Sequence, residues 1–322
     1  MKEYVVGVDL GGTKILTAIA DLEGNILARV RKDTEAQKGK DAVIQKIKDT
    51  IYEVVEKVDL DLSQVKGIGL GVPGPVNIKE GSIKHTPNLD LDNVNIVEEL
   101  KDLGIAVFLE NDANAAALGE KWFGAGKEAE NMIYVTISTG IGGGIIINKE
   151  IFHGAGDAAG EIGHMTILPD SEIKCGCGNY GCWEAIASGT ALSRMGREAV
   201  EAGEETLIGD LVTDSSEING EVIAKAFEKD DKLAKEILDR LASYIGIGMA
   251  NLINIFNPDT IVVGGGVSYS WSLIEDGVTS EINKRAMSSL TNNVEVVLAE
   301  LGSDVGVLGA VATALSEVKL EI

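Results

Sequence analysis

Val5-Val6-Gly7-Val8-Asp9-Leu10-Gly11-Gly12-Thr13-Lys14-Ile15-Leu16-Thr17-Ala18 joins two apolar runs through a polar, glycine-rich turn. That pattern predicts a β-hairpin. The design recurs far downstream as Ile133-Tyr134-Val135-Thr136-Ile137-Ser138-Thr139-Gly140-Ile141-Gly142-Gly143-Gly144-Ile145-Ile146-Ile147. Glycine in such turns lets backbone N–H groups approach phosphate oxygens without a Cβ in the way, and Thr13 and Thr139 add hydroxyl donors. The Walker pattern is different, since it needs Lys-Ser or Lys-Thr after its glycines and then a helix. One hairpin alone reads as an ordinary flexible turn. The pair points to two loops that hold a nucleotide phosphate chain.

The likeness extends to a longer internal duplication. Periodicity predicts strands over about 4–10, 15–20 and 25–31, then a helix over 41–58 with Val43, Ile47, Ile51, Val54 and Val58 on one face. A strand over 65–71, a short helix near 94–103, a strand over 105–109 and a helix over 113–123 follow. The second half answers in the same order: three short strands between 132 and 152, a long helix over 231–256, a strand over 260–263, a helix near 271–287, a strand over 294–298 and a closing helix over 305–318. The long helix carries Leu233, Ile237, Leu241, Tyr244, Gly248 and Leu252 at core spacing and stops at Asn257-Pro258. The expected class is therefore α/β, with two domains and a cleft between them. The expected division is a small N-terminal domain of residues 1–112 plus 303–322 and a large domain of 113–302. An insert over about 153–230 in the large domain breaks the symmetry.

With 322 residues, 45% of them apolar, the chain has room for two cores. Its 28 basic and 51 acidic side chains give a formal charge of −23, which opposes nucleic acid and anionic membrane as partners. Phosphate binding in so acidic a chain calls for a metal ion. The first strand begins by Tyr4 and no apolar run reaches membrane-spanning length, so a cytoplasmic location is expected.

Three further segments carry chemistry. Leu109-Glu110-Asn111-Asp112-Ala113-Asn114 ends a strand and begins a helix, where ligands of open α/β sheets bind. Read alone, Asp112 is the helix N-cap; a carboxylate there is also placed to act as a general base. Gly160-Glu161-Ile162-Gly163-His164 leads into Cys175-Gly176-Cys177 and Cys182-Trp183-Glu184. The chain's three cysteines and one imidazole, His164, make a closed zinc set with no open position for water, so a structural Zn²⁺ is expected. His85 and His153 lack such context and read as surface residues. Gly74 in the Val72-Pro73-Gly74-Pro75 turn and Asn88 in the loop beyond it suit hydrogen bonds to a small polar ligand. Ile261-Val262-Val263-Gly264-Gly265-Gly266 reads as close backbone approach to a flat group such as adenine or its ribose.

Together these motifs resemble the ROK family (repressors, uncharacterised reading frames and sugar kinases), and within it the bacterial glucokinases. The matching segments are Asp9 to Lys14, Glu110 to Asn114, Thr139 to Gly144, Gly160 to His164 and Cys175 to Glu184. The resemblance implies the actin-like, hexokinase-type ATPase fold with duplicated RNase H-like domains and a zinc-containing insert. It implies an ATP-dependent glucokinase that phosphorylates the 6-hydroxyl of glucose, with Asp112 as general base and a possible second role as cap. Sugar contacts fall to Gly74, Asn88, Asn111, Asp112, Glu161, His164 and Glu184. Zinc falls to His164, Cys175, Cys177 and Cys182. ATP with Mg²⁺ falls to Asp9, Gly11, Gly12, Thr13, Lys14, Thr139, Gly140, Gly142, Gly264 and Gly265. Other family kinases act on N-acetylmannosamine, fructose, mannose or allose, and some accept polyphosphate; a homodimer or homotetramer is implied. Family repressors carry a DNA-binding segment ahead of the first strand. The strand's position at the N-terminus and the acidic charge therefore favour the kinase over a repressor, and Asp9, Thr13 and Asp112 favour it over a non-catalytic sugar sensor.

Overall fold

The structure is a computed structural model that describes residues 3–86 and 89–320, so Asn88 lies outside the described residues. Two compact units are formed, one of Met1–Tyr134, Gly144–Gly160 and Ala299–Ile322, the other of Val135–Gly143 and Glu161–Leu298.

In the first unit β1 (Tyr4–Leu10), β2 (Lys14–Asp21) and β3 (Ile26–Asp33) form an antiparallel meander. After α1 (Lys40–Glu56), β4 (Val65–Val72) pairs parallel to β1. A small sheet of β5 (Val76–Asn77), β6 (Ser82–Ile83) and β7 (Val94–Asn95) follows, then the single turn α2 (Ile96–Glu99). β8 (Ala106–Asn111) pairs parallel to β4 and runs directly into α3 (Asp112–Phe123). The sheet order is β3-β2-β1-β4-β8. α10 (Val305–Leu320) completes this unit.

Alternation in β1 decides which helix covers which face. Val6, Val8 and Leu10 enter one core with Val43, Ile47, Ile51 and Val54 of α1, whereas Val5 enters another with Val311, Ala314 and Leu315 of α10. A strand covered on both faces needs an unbroken apolar run, and Val5 to Val8 of β1 and Gly67 to Val72 of β4 supply it. Glycine in β4 has a packing reason: a Cβ at Gly69 would lie 1.9 Å from the Ala310 carbonyl oxygen, so α10 rests directly on the strand backbone.

The second sheet has the same order, β11-β10-β9-β12-β13, from β9 (Met132–Ile137), β10 (Ile141–Ile147), β11 (Glu150–Ile151), β12 (Thr260–Gly264) and β13 (Glu295–Leu298). The expected duplication of strand order is therefore present. The unit boundary passes through β9 and β10. The insert is helical, with α4 (Trp183–Ala187), α5 (Gly189–Glu201) and α6 (Gly220–Phe227) ahead of the long α7 (Lys232–Phe256). The helix expected near 271–287 is a 3₁₀ run over Gly266–Leu273, then α8 (Glu275–Arg285) and α9 (Ser288–Thr291).

The observed units differ from the expected division in that residues 113–134, 144–160 and 299–302 fall with the first unit. α3 stays with the first unit because its glycine meets that of α10: a Cβ at Gly119 would sit 2.9 Å from the Gly309 nitrogen. The buried Glu120 carboxylate also accepts the N–H groups of Ala125, Glu300 and Leu301, which binds the returning chain to the same unit. No helix of the described residues is long and apolar enough to cross a membrane.

Candidate functional site

In the first unit the turn between β1 and β2 is held internally. Gly11 N–H donates to the Lys14 carbonyl at 2.9 Å, and buried Thr34 donates its hydroxyl to Gly11 O at 2.7 Å and its N–H to Thr13 O at 2.8 Å. Gly11 thus shapes the turn, and Thr13 and Lys14 are exposed at its tip. Thr34 had no signal in the sequence, because its partner is a backbone atom of a distant loop.

Asp9 lies at the end of β1, and a Cβ at Gly306 would come within 2.4 Å of its Oδ2. Burial, then the nearby charge of Asp112, raises the Asp9 carboxyl from 3.8 to about 6. Folding therefore takes up a proton at Asp9 between those two pH values. The corresponding stability is fully present below pH 3.8 and is lost as pH rises through about 6. In the absence of nucleotide and Mg²⁺, Asp9→Asn should stabilise the protein by about 2 kcal/mol at pH 7.5 and by clearly less at pH 4.5. Urea melts at the two pH values check this, and an equal gain at both would refute it.

At the β8–α3 junction the expected N-cap is corrected by one residue. Asn111 has extended backbone angles (φ −66°, ψ 145°), and its Oδ1 accepts the N–H of Ala113 at 3.0 Å and of Asn114 at 3.2 Å. Its Nδ2 donates to Gly74 O at 3.1 Å, which joins two of the expected sugar contacts. Gly74 has φ +90°, a conformation that favours glycine. Asp112 is the first helical residue and is exposed; its Oδ1 accepts the Ala113 N–H at 2.8 Å. The cap that reaches Ala113 and Asn114 together is therefore Asn111.

Beneath this junction Glu110 is buried, and His153 is not the surface residue expected. His153 Nε2 lies 2.7 Å from Glu110 Oε2, while Glu110 Oε1 accepts from Asn111 N at 2.9 Å and from Asn114 Nδ2 at 3.0 Å. His85 is on the surface as expected, beside Asp92.

In the second unit the Ser138–Gly140 turn rests on the insert. Ser138 O accepts the Gly189 N–H at 2.7 Å and Thr139 O accepts the Thr190 hydroxyl at 2.7 Å. Glu184 supports the same turn: its Oε2 accepts the Ile141 N–H at 3.0 Å, and a Cβ at Gly140 would lie 2.2 Å from that oxygen. Gly142 is half-buried in β10. A cavity of about 740 Å³ opens beside the turn, with Ser138, Thr139, Arg197, Asn219, Gly266 and Tyr269 in its wall. Gly266 lines it where Gly264 and Gly265 were expected. Gly265, at φ +87°, faces Ile137 instead, and its Cβ would lie 2.5 Å from the Ile137 oxygen.

His164, Cys175, Cys177 and Cys182 bring their donor atoms within 4.8 Å of one another. Cys177 Sγ to Cys182 Sγ is 3.7 Å, and Cys175 Sγ to His164 Nδ1 is 3.5 Å. Tetrahedral zinc, with bonds of about 2.3 Å to sulfur and about 2.0 Å to nitrogen, demands edges of roughly 3.8 Å and 3.5 Å. The donor set therefore fits that ion. Burial, then the neighbouring cysteines, pushes the Cys182 thiol up to about 12, so it has no reason to ionise without a cation. His164 Nε2 lies 3.7 Å from Glu161 Oε2, beyond hydrogen-bond reach. Glu184 Oε1 lies 3.8 Å from Cys175 Sγ, so this carboxylate joins the cysteine cluster to the glycine turn.

The sequence pattern of the ROK family matches residues 5–317. A glucokinase from Thermotoga maritima is 36% identical over 96% of this chain and 96% of its own. A putative xylose repressor from Caldicellulosiruptor sp. is 33% identical over 97% of this chain and 78% of its own. The crystal structure of a ROK family glucokinase from Streptomyces griseus in complex with glucose and AMPPNP matches with a TM-score of 0.79 at 34% identity, covering 97% of this chain and 99% of that one.

Proposed function

The chain belongs to the ROK family, and on that premise we propose that it is an ATP-dependent glucokinase, transferring the γ-phosphoryl group of ATP to the 6-hydroxyl of glucose. The observation that carries the reading is the β8–α3 junction: Asn111 caps the helix, and the exposed carboxylate of Asp112 follows it as the first helical residue. In this reading Asp112 accepts the hydroxyl proton as the sugar oxygen attacks phosphorus in line. Asn111, Gly74, Asn88, Glu161, His164 and Glu184 hold sugar hydroxyls.

The residues that the family resemblance assigns to ATP, Gly11, Gly12, Thr13, Lys14, Thr139, Gly140 and Gly142, hold the phosphates through backbone and hydroxyl donors. The base and ribose occupy the cavity beside Thr139, near the Gly264 to Gly266 run. Mg²⁺ bound to ATP neutralises charge on the transferring group. Asp9 suits the neighbourhood of that ion, since a cation relieves the burial and the Asp112 charge that keep its carboxyl protonated up to about pH 6. Zn²⁺ on His164, Cys175, Cys177 and Cys182 braces the Glu161 to Glu184 loop and has no step in the reaction.

Sugar-dependent ADP release over glucose, mannose, fructose, allose and N-acetylmannosamine tests the proposal. The highest kcat/KM is expected with glucose. A higher value with another hexose would reassign the substrate, and ADP release unaffected by every sugar would end the kinase reading. Polyphosphate in place of ATP tests the donor.

A further inference from the structure

We propose that His153 is a positioning residue for Asp112, acting through Glu110. The inference rests on the reading of Asp112 as the base, and the observation behind it is a chain of short polar contacts within the first unit. His153 Nε2 meets Glu110 Oε2 at 2.7 Å. The other oxygen, Oε1, accepts the Asn111 N–H at 2.9 Å and the Asn114 side-chain amide at 3.0 Å. Those two residues flank Asp112 on either side of the helix start, so the orientation of one carboxylate sets the path of the backbone that carries the base.

Glu110 is only 3% exposed, and a buried carboxylate is costly unless every oxygen is engaged. One backbone N–H and one side-chain amide occupy one oxygen, and His153 occupies the second. Without the imidazole, Oε2 is left without that donor, and the carboxylate turns or draws in water from the adjoining cavity of about 350 Å³. Turning breaks the contacts to Asn111 and Asn114. Because a displacement of about 1 Å at a reacting group is able to cost on the order of 100-fold in rate, a small tilt at this junction is felt in kcat.

The segment that supplies His153 is itself fastened. Phe152 N–H donates to Ile145 O at 2.7 Å, Ala159 N–H donates to His153 O at 3.0 Å, and Asp157 Oδ2 accepts the Ile78 N–H at 3.0 Å. The imidazole is therefore delivered from a braced loop. The hydrogen bond to Glu110 holds His153 above the usual histidine range, against the opposing effect of burial, with Asp157 and Glu317 adding negative charge nearby. Lys79 and Glu80 line the same cavity.

Three variants, His153→Ala, His153→Gln and Asp112→Asn, are compared with the wild type at a temperature where each is folded. His153→Ala should lower kcat by about 10- to 100-fold while KM for glucose and ATP moves by less than about 3-fold. His153→Gln, which returns an N–H donor, should recover most of that loss. Amide hydrogen exchange over residues 110–114 should speed up by at least about 10-fold in His153→Ala and return toward normal in His153→Gln. Unchanged exchange in His153→Ala, or kcat within about 2-fold of wild type, overturns the inference, as does a loss confined to KM. Full turnover by Asp112→Asn instead overturns the base reading, while the exchange result still reports whether His153 holds the junction.

Discussion

Asp112→Asn should reduce kcat by about 100- to 10,000-fold while leaving glucose affinity and thermal stability close to wild type. The size follows from the chemistry: an amide keeps the shape and hydrogen-bonding reach of the carboxylate but takes no proton at neutral pH. The silence in stability follows from the cap. Asn111 accepts the Ala113 and Asn114 N–H groups, so residue 112 is not needed to start α3. The same variant separates the two roles that the sequence left open. Asn is as good an N-cap as Asp, so a purely capping Asp112 would make the substitution nearly silent in rate as well. Steady-state kinetics, glucose titration calorimetry and a thermal melt together decide it, and kcat within tenfold of wild type would remove Asp112 from the base role.

Loss of zinc should have the second largest effect. Purified protein should contain one Zn²⁺ per chain by elemental analysis, and Cys182→Ser should lose that metal, most of its activity and a large part of its thermal stability. Cys182 is buried immediately ahead of α4, and two residues later Glu184 holds the Ile141 N–H at the edge of the second glycine turn. Releasing Cys182 therefore loosens Glu184 and with it the turn. The remaining ties are backbone bonds of the loop, among them Cys175 N–H to Asn179 O at 2.8 Å, Gly181 N–H to Ile173 O at 3.1 Å and Trp183 N–H to Met165 O at 2.8 Å. Structural zinc sites contribute on the order of 10 kcal/mol in small domains, which exceeds what such turns supply. Metal-free protein with unaltered melting temperature and turnover would show that the four donors merely lie close together.

Much of the architecture was legible in the chain because it depends on local periodicity. The strands of both sheets, α1, α3, α7 and α10 fall within a few residues of the expected spans, since each carries its own apolar repeat over many residues. The small sheet of β5, β6 and β7 escaped, as two-residue strands have no period to read. The helix expected near 271–287 is broken into three pieces around Ile274 and Ala286, whose backbone angles (φ −127°, ψ −13° and φ −78°, ψ 153°) are non-helical, and its middle piece buries only Val278 and Ile282.

The candidate site divides in the same way. The cysteine set was visible because the residue types and their spacing carry the chemistry, whereas the roles expected of Asp9 and Asp112 came from the family resemblance. The zinc ligands lie within nineteen positions of one another, so a short stretch of chain declares them. Glu110 offered a signal that went unused: a charge at the end of an apolar strand needs a partner once buried.

By itself, then, the amino-acid order determined the duplicated strand-and-helix succession, the two glycine turns and the closed metal set, since each is written in neighbouring residues. Only the tertiary structure decided that Asn111 and not Asp112 caps α3, that Thr34 pins the first turn, that Gly306 lies against Asp9, and that His153 completes the environment of Glu110. The last three contacts join residues from 23 to 297 positions apart, and the cap turns on which neighbouring side chain the folded backbone aims at the helix start. Local pattern does not encode such choices, because they are set by how the sheets and helices come to pack.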